Sequence, residues 1–136
     1  MHAATEADPV NNLQQCYQQY TYTSNGQVDT VTDAGGNVTN YIYDGFDRLY
    51  ETRFPDKEAP GTSSSTDFER FTYDYNGNML TKRARDGRTI TYTYDNLNRL
   101  TQRHVPGARD DGLYTFQYDL AGRRTDETPI AQPYFM

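Results

Sequence analysis

A recurring pair of aromatic residues constrains this sequence more than any other feature. Five anchor tyrosines stand at Tyr22, Tyr43, Tyr73, Tyr94 and Tyr118, and an aromatic residue precedes each by two positions, at Tyr20, Tyr41, Phe71, Tyr92 and Phe116. The intervals between anchors are 21, 30, 21 and 24 residues. Self-similarity of this kind is the signature of a repeat protein. We therefore expect about five units with a basic period near 21 residues.

Each aromatic pair has the spacing of a β-strand. Residues two apart on a strand share a face, so Ile90, Tyr92 and Tyr94 are predicted on one face, and the neighbouring threonines on the other. Only 35% of the chain is apolar, yet it has 13 Tyr and 6 Phe. The core is therefore predicted to be aromatic, with cross-strand aromatic pairs that contribute roughly 0.2–1 kcal/mol each.

Turn-forming residues follow each anchor tyrosine. Aspartate comes next in four copies and threonine in the first, at Asp44, Asp74, Asp95, Asp119 and Thr23. Four places after the anchor stand Gly26, Asp47, Gly77, Asn98 and Gly122, residue types that tolerate a positive φ. A second strand then begins at Val28, Leu49, Met79 and Leu100, with Arg124 as the exception. The fold class predicted is an all-β antiparallel meander of repeated β-hairpins, with about ten strands.

The second reversal in each unit carries glycine pairs or Asp-Gly. Residues 34–37 read AGGN and residues 85–88 read RDGR, which includes Gly87. These dipeptides favour two-residue hairpin loops.

We divide the chain into a lead-in over 1–19, repeats over 20–128 and a tail over 129–136. Residues 55–69 are rich in Pro, Gly and Ser, which predicts a flexible insertion within the repeats.

Charged residues also recur in columns. Arg48, Arg99 and Arg123 each lie five places after an anchor tyrosine. Beside the aspartates they are predicted to form a ladder of charge-assisted hydrogen bonds along the sheet; ligand-facing arginines are the alternative.

Residues 74–78, DYNGN, resemble the start of a calcium loop, but Gly77 stands at position 4 rather than 6. We favour aspartates that accept backbone hydrogen bonds at the turns.

The composition disfavours several classes of function. With a formal charge of −6, the chain lacks the concentrated basic face that binding to nucleic acid requires. No apolar run reaches the roughly 18 residues of a transmembrane helix, and we expect no signal peptide in this chain. Cys16 is the single cysteine, and two separate histidines offer neither a zinc site nor a catalytic base. We expect a non-enzymatic protein with no cofactor and no metal.

The repeated motif resembles the YD repeat of the Rhs family. The resemblance lies in Tyr43-Asp44, Tyr73-Asp74, Tyr94-Asp95 and Tyr118-Asp119, and is clearest in YDGFDRL (43–49) and YDNLNRL (94–100). It implies that many such repeats join into one β-sheet that spirals into a shell. In bacterial relatives, which include polymorphic toxins and insecticidal toxin complexes, the shell encloses a toxic domain. The resemblance therefore implies a structural segment of a larger secreted or cell-surface protein.

A carbohydrate or receptor binding module is the alternative function. Aromatic rings stack on sugars, and Tyr17, Tyr50, Tyr75 and Tyr134 fall outside the aromatic columns. The predicted partners are neighbouring repeats of a parent protein, or a second copy paired through open sheet edges, with a glycan as the alternative ligand.

Overall fold

A computed structural model describes residues 2–7 and 14–129 as antiparallel β-strands joined by short turns. The strands are β1 His2–Ala7, β2 Gln14–Tyr22, β3 Val28–Asp33, β4 Val38–Tyr43, β5 Leu49–Pro55, β6 Ser63–Tyr73, β7 Met79–Arg83, β8 Thr89–Tyr94, β9 Leu100–His104, β10 Leu113–Tyr118 and β11 Arg124–Pro129. One turn of 3-10 helix, Arg109–Gly112, precedes β10, and these described residues contain no α-helix. The predicted all-β antiparallel meander is confirmed.

The chain divides into two compact units, Met1–Glu69 and Arg70–Met136. The first contains β1 to β5 and the beginning of β6, and the second contains the end of β6 and β7 to β11. In the first unit each strand from β2 to β5 pairs with the strand before it. The same order holds from β6 to β11. Pairing between sequence neighbours is what short connections favour.

Opposite faces of each strand differ in chemistry, as the period of two predicts. In β8 the side chains of Ile90, Tyr92 and Tyr94 are half-buried, and the threonines between them are exposed. Threonines on this second face pair across strands, with 2.7 Å between the hydroxyls of Thr72 and Thr81. The same distance separates the hydroxyls of Thr21 and Thr30.

The aromatic face is less enclosed than the sequence predicts, and its cross-strand partners are different. Among residues with described side chains, Phe71 and Phe116 are the two buried large apolar ones. The predicted cross-strand pairing among the five repeated aromatic pairs is wrong within β2–β5 and within β6–β11, because these pairs lie on every second strand there. Their partners in register are other residue types: Tyr20 with Val31, Tyr41 with Thr52, Phe71 with Lys82, Tyr92 with Arg103 and Phe116 with Glu127.

Cations cover the rings in the second unit instead. The Lys82 ammonium lies 5.7 Å from the Phe71 ring centroid, and the Arg103 guanidinium lies 4.7 Å from that of Tyr114. Arg124 lies 5.4 Å from the centroid of Phe116. Cation–π contacts and the aliphatic stems of these side chains therefore shield the rings where aromatic partners were expected.

The reversals at 34–37 and 85–88 have three-residue loops, so the predicted two-residue loops are wrong. The Ala84 N–H donates to the Arg88 carbonyl at 2.8 Å, and the Gly87 N–H donates to the Ala84 carbonyl at 2.9 Å. A two-residue type I′ turn needs two residues with positive φ, and here Gly87 alone has one, at 88°. The turn at Asp33–Asn37 is closed in the same way around Gly36, with φ 80°.

The predicted insertion at 55–69 is shorter than its composition suggests. β5 continues to Pro55 and β6 already begins at Ser63, so the connecting loop is 56–62. The Asp56 carboxylate closes the start of this loop by accepting hydrogen bonds from the amides of Glu58 and Ala59. The side chain of Ser64 is buried and accepts the Thr66 amide at 3.1 Å. Serine and threonine there belong to a paired strand, where β-branched threonine is favoured.

The end regions of the predicted division are only partly described. The lead-in 1–19 includes β1 and most of β2, which pair with each other. The tail 129–136 lies outside the described residues beyond Pro129. The part of the chain that the structure describes has no helix long and apolar enough to cross a membrane.

Candidate functional site: the Tyr-Asp turns

Five turns of the same geometry follow β2, β4, β6, β8 and β10, and we call them the Tyr-Asp turns. They comprise residues 23–27, 44–48, 74–78, 95–99 and 119–123. In each, the first residue's N–H donates to the fifth residue's carbonyl at 2.8–2.9 Å. The fourth residue's N–H donates back to the first residue's carbonyl at 3.0–3.1 Å.

The fourth position of every Tyr-Asp turn has a positive φ, as predicted from its residue type. The angles are 84° at Gly26, 60° at Asp47, 85° at Gly77, 61° at Asn98 and 80° at Gly122. The ladder register shifts where each turn joins its strands, for example between Thr93 and Tyr94. A three-residue loop with a left-handed last residue and a bulge is therefore the common design.

The aspartate organises the turn through one carboxylate oxygen. In the turn at 95–99, Asp95 Oδ1 accepts the amides of Leu97 at 2.9 Å and Arg99 at 3.0 Å. Asp44, Asp74 and Asp119 accept the amides at the same two positions of their turns. In the first turn the Thr23 hydroxyl accepts the Gln27 amide at 3.2 Å. The aspartate after the anchor tyrosine thus satisfies two loop amides that no strand reaches.

The second carboxylate oxygen binds the side chain at the fifth position of the same turn. Oδ2 accepts Arg48 Nε and Arg99 Nε at 2.8 Å in their turns, and Arg123 Nε at 2.9 Å. Asn78 Nδ2 takes this place against Asp74 at 3.0 Å. The predicted charge-assisted hydrogen bonds between arginine and aspartate are present, and these three join residues of the same turn. The Arg99 charge also helps to lower the pKa of Asp119 in the next repeat.

The calcium reading of 74–78 conflicts with this geometry. Both carboxylate oxygens of Asp74 already accept hydrogen bonds from within the turn. Among the described residues, no group of three or more His, Cys, Asp or Glu side chains is arranged to hold a metal ion.

The anchor tyrosine connects one repeat to the preceding repeat. The hydroxyls of Tyr43 and Tyr94 donate to the carbonyls of Val28 and Met79 at 2.8 Å, and that of Tyr118 donates to Leu100 at 2.7 Å. Each acceptor is the first residue of the strand after the previous Tyr-Asp turn. We call these three hydrogen bonds the tyrosine links.

The surroundings of the tyrosine links keep the hydroxyls protonated. Burial raises the pKa of Tyr43, and the nearby Tyr41 and Asp29 raise it further. Burial likewise raises the pKa of Tyr94, with added contributions from Tyr92 and Asp74. A protonated phenol is the form that can donate to a carbonyl.

Arg99 belongs to two repeats at once. Its guanidinium binds Asp95 within its own turn and lies 4.7 Å from the ring centroid of Tyr118 in the next repeat. The arginine therefore both closes a turn and covers the anchor ring that follows, which makes it a packing residue rather than a free ligand-facing cation.

Amide side chains tie successive Tyr-Asp turns together, a contact that the sequence analysis missed. In the first unit, Asn25 Nδ2 donates to Asp47 Oδ1 at 2.7 Å, and Gln27 Nε2 donates to the Asp47 carbonyl at 2.6 Å. In the second unit, Asn76 and Asn78 donate to Asn98 Oδ1 at 3.0 and 2.9 Å. The sequence pattern that could have predicted these contacts is an Asn or Gln at the third and fifth positions of one Tyr-Asp turn, with Asp or Asn at the fourth position of the next. We call these contacts the amide ties.

An open cleft lies beside each pair of amide ties. The cleft in the first unit has a volume of about 330 Å³, and polar groups on its wall include Asn25, Asp29 and Tyr43. The cleft in the second unit, of about 510 Å³, has Asn76 and Tyr94 at the repeat positions of Asn25 and Tyr43, together with Asn96. The hydrogen bonds described above already use most of these polar groups, so the arrangement is suited to holding repeats together.

The turn carboxylates are more acidic than free aspartates. The pKa of Asp95 lies below its ordinary value because the Arg99 amide donates to it, and the Arg99 side chain and Leu97 amide add to this. The pKa of Asp119 is lowered in the same way by the Arg123 amide and side chain. For Asp44, burial alone would raise the pKa, but hydrogen bonds from Arg48 and Phe46 outweigh it.

These shifts predict that acid weakens the fold. A carboxyl whose folded pKa lies below the unfolded value of 3.8 contributes stability that is complete above about pH 4 and is lost as the pH falls through the folded pKa. Urea unfolding midpoints should therefore be steady from pH 7 to about pH 5 and fall below about pH 4. In Asp95→Asn the midpoint should be lower at pH 7 and change less on acidification; an unchanged acid profile would contradict this role of Asp95.

The remaining residues predicted for a site fall into three groups. Gly87 lies in the loop between β7 and β8, with the positive φ described above. Tyr75 is fully exposed at the second position of its turn, and Tyr50 in β5 is 36% exposed. The side chain of Tyr17 is not described, and Tyr134 lies outside the described residues. Glycan contact by these tyrosines stays a prediction.

Tandem hairpins joined by side chains at equivalent positions define a β-hairpin repeat protein. The sequence matches the RHS Repeat family over residues 22–59 and 73–110, and the chain belongs to that family. Each matched segment begins at an anchor tyrosine, Tyr22 or Tyr73, and contains the next one, Tyr43 or Tyr94, which forms a tyrosine link.

One curated relative is the Double-stranded DNA deaminase toxin A of Burkholderia cenocepacia (strain H111). It is 40% identical over 62 residues, which are 46% of this chain and 4% of the toxin. The chain therefore spans a small part of that relative.

Two solved structures share the fold. One is the Tc holotoxin pore of Photorhabdus luminescens with a mutated TccC3, with a TM-score of 0.67 and 20% identity over 87% of this chain and 7% of that one. The other is the complex TcdB2-TccC3-Cdc42, with a TM-score of 0.67 and 20% identity over 86% and 6% of the two chains. At this identity the likeness concerns the fold.

Proposed function

We propose that this chain is a non-enzymatic stretch of the wall of a β-sheet shell, within a larger secreted or surface-delivered toxin-type protein. The wall would enclose or present an effector domain. Its partners are the neighbouring repeats of the parent chain, and in isolation the sheet edges would pair with a second copy.

The tyrosine links carry this proposal. Three of them join consecutive repeats in the same way, with one hydroxyl and one backbone carbonyl each. A sheet built from equivalent links can be extended by adding repeats, because stability in repeat proteins comes largely from contacts between neighbours. The likeness in fold to Tc toxin structures and the relative named as a toxin support a place in such a protein.

The side-chain chemistry also favours a structural role over catalysis. The polar groups of the Tyr-Asp turns are engaged with backbone amides and with each other. A nucleophile needs a base within hydrogen-bond reach. Of the two histidines, His104 lies in register with Thr91 and Leu113, and its ring has no hydrogen bond to a hydroxyl or thiol of the described residues.

A graft into the Burkholderia relative tests the proposal. The 62 aligned residues of that toxin are replaced by the corresponding residues of this chain, and protease resistance of the part of the toxin outside the graft is measured. A wall segment should preserve the resistance of the unmodified toxin. The control graft carries Tyr→Phe substitutions at the anchor tyrosines and should be cleaved faster. Cleavage of the first graft at the rate of a repeat-deleted toxin would overturn the proposal.

Carbohydrate binding is the alternative, and the full exposure of Tyr75 favours it, because the residues on either side of it in sequence, Asp74 and Asn76, line the cleft of the second unit. An exposed ring next to amide side chains is suited to stacking on a sugar and binding its hydroxyls. Binding on a glycan array that Tyr75→Ala abolishes, with unchanged unfolding, would favour this function; no binding above background would leave the wall segment as the better account.

A further inference from the structure

Two of the amide ties are formed by an asparagine that a glycine follows in sequence. Asn25-Gly26 and Asn76-Gly77 occupy the third and fourth positions of their turns. Asn-Gly is the dipeptide most open to spontaneous deamidation, because glycine has no side chain to hinder attack by its own amide nitrogen. Both asparagines are exposed to the water that the reaction consumes.

The folded turn engages both groups that this reaction needs. The Gly77 N–H, whose nitrogen would attack, donates to the Asp74 carbonyl at 3.1 Å. The Asn76 amide, whose nitrogen would leave, donates to Asn98 Oδ1 at 3.0 Å. In the first unit the Gly26 N–H donates to the Thr23 carbonyl at 3.0 Å, and the Asn25 amide donates to Asp47 at 2.7 Å. Deamidation therefore requires the turn to open and the amide tie to break.

We propose that Asn25 and Asn76 are deamidation sites that the closed turn protects, and that their modification breaks the amide ties between repeats. In the opened turn the glycine nitrogen bonds to the asparagine Cγ, the Cγ–Nδ2 bond breaks, and ammonia leaves with the proton from the glycine amide. Water then opens the cyclic imide at either carbonyl. One product has aspartate at this position, and the other has an isoaspartyl linkage that lengthens the main chain through the side chain.

The two sites respond differently to the new carboxylate. At Asn25 it faces the Asp47 carboxylate, so a hydrogen bond becomes a repulsion between like charges. At Asn76 it faces the side-chain oxygen of Asn98, which also accepts a hydrogen bond from Asn78. Rotation of the Asn98 amide would supply a donor to residue 76 but give up the bond from Asn78. Modification at Asn25 is therefore the more damaging of the two.

The rate of modification tests the protection. The purified chain is incubated at one pH with and without denaturing urea, and peptide mass mapping follows the gain in mass at each asparagine. Both sites should react at least about tenfold more slowly in the folded chain, which corresponds to about 1.4 kcal/mol of opening free energy. Asn96, which Leu97 follows in the same kind of turn, should stay unmodified in both samples. Equal rates at Asn25 and Asn76 in the two samples would overturn the protection.

Mimics of the product test the consequence. Asn25→Asp and Asn76→Asp should lower the urea midpoint, the first by more. Asn96→Asp is the matched control, because it adds the same charge to a Tyr-Asp turn at a side chain with no hydrogen bond to another described residue. Its midpoint should shift less than either. If all three variants unfold at the midpoint of the unmodified chain, the amide ties do not hold the repeats and the proposal fails.

Discussion

Replacing Gly112 with alanine is expected to destabilise the fold by about 3 kcal/mol. Gly112 is buried, has φ 64°, and accepts the Val105 N–H at its carbonyl at 2.8 Å. A Cβ there would lie 1.9 Å from the Val105 carbonyl oxygen, so main chain would have to move. The left-handed conformation costs a non-glycine residue about 1–2 kcal/mol, and overpacking costs roughly 1–3 kcal/mol more.

Gly122→Ala is the matched control for this substitution. Gly122 has φ 80°, but no atom lies within 4 Å of the position of its Cβ. Only the conformational cost of about 1 kcal/mol should remain. The free energy of unfolding is obtained from urea titrations of both variants. Equal losses would show that crowding at Val105 does not constrain the loop before β10.

Removing three hydroxyl groups is expected to weaken the fold by a similar amount. The variant with Tyr43, Tyr94 and Tyr118 all changed to Phe retains every ring and loses the three tyrosine links. Each lost hydrogen bond to a part-buried carbonyl should cost about 1 kcal/mol, or about 3 kcal/mol in total if the contributions add. Calorimetric melting and urea unfolding both measure this loss.

Tyr75→Phe controls for the chemistry of the substitution. Tyr75 is fully exposed, and its hydroxyl has no hydrogen bond to another described residue. Its stability should change by less than about 0.5 kcal/mol. If the triple variant is no less stable than this control, the links between repeats would have to lie in main-chain pairing alone.

Local features of the fold were predictable because they depend on residues close together in the sequence. The positive φ at Gly26, Gly77 and Asn98 follows from a residue type at a fixed distance from the anchor tyrosine. The alternation in β8 follows from the period of a strand. The aspartate as acceptor of turn amides was predictable for the same reason, since Asp95 and its two donors lie within five residues.

Features that depend on contacts with the next repeat were harder to predict from the sequence. The arginine at the fifth position could bind the aspartate of its own turn or of a neighbour, and the sequence contains both. The preference of arginine for bidentate contacts with carboxylates does not distinguish these two partners. The structure selects the aspartate of the same turn, which lies only four residues away. The amide ties were missed for a related reason, because Asn25 and Asp47 are 22 residues apart and meet only when the register of the strands is known.

The burial of Glu51 is a second feature that the sequence pattern does not predict. This side chain is 2% exposed on β5 and accepts a hydrogen bond from Arg53 Nε at 2.6 Å. A glutamate in an alternating strand is ordinarily assigned to the solvent face. The arginine two residues along the same strand pairs with this carboxylate, and a hydropathy pattern does not record such a pair.

The acceptors of the tyrosine links have a consequence for how such a chain can change over evolutionary time. Val28, Met79 and Leu100 supply only their main-chain carbonyls, which every amino acid possesses. A tyrosine in one repeat therefore does not require a particular residue in the repeat before it. Duplicated, deleted or shuffled repeats would find their partner already present at each new junction, and their other positions could diverge without breaking the connection.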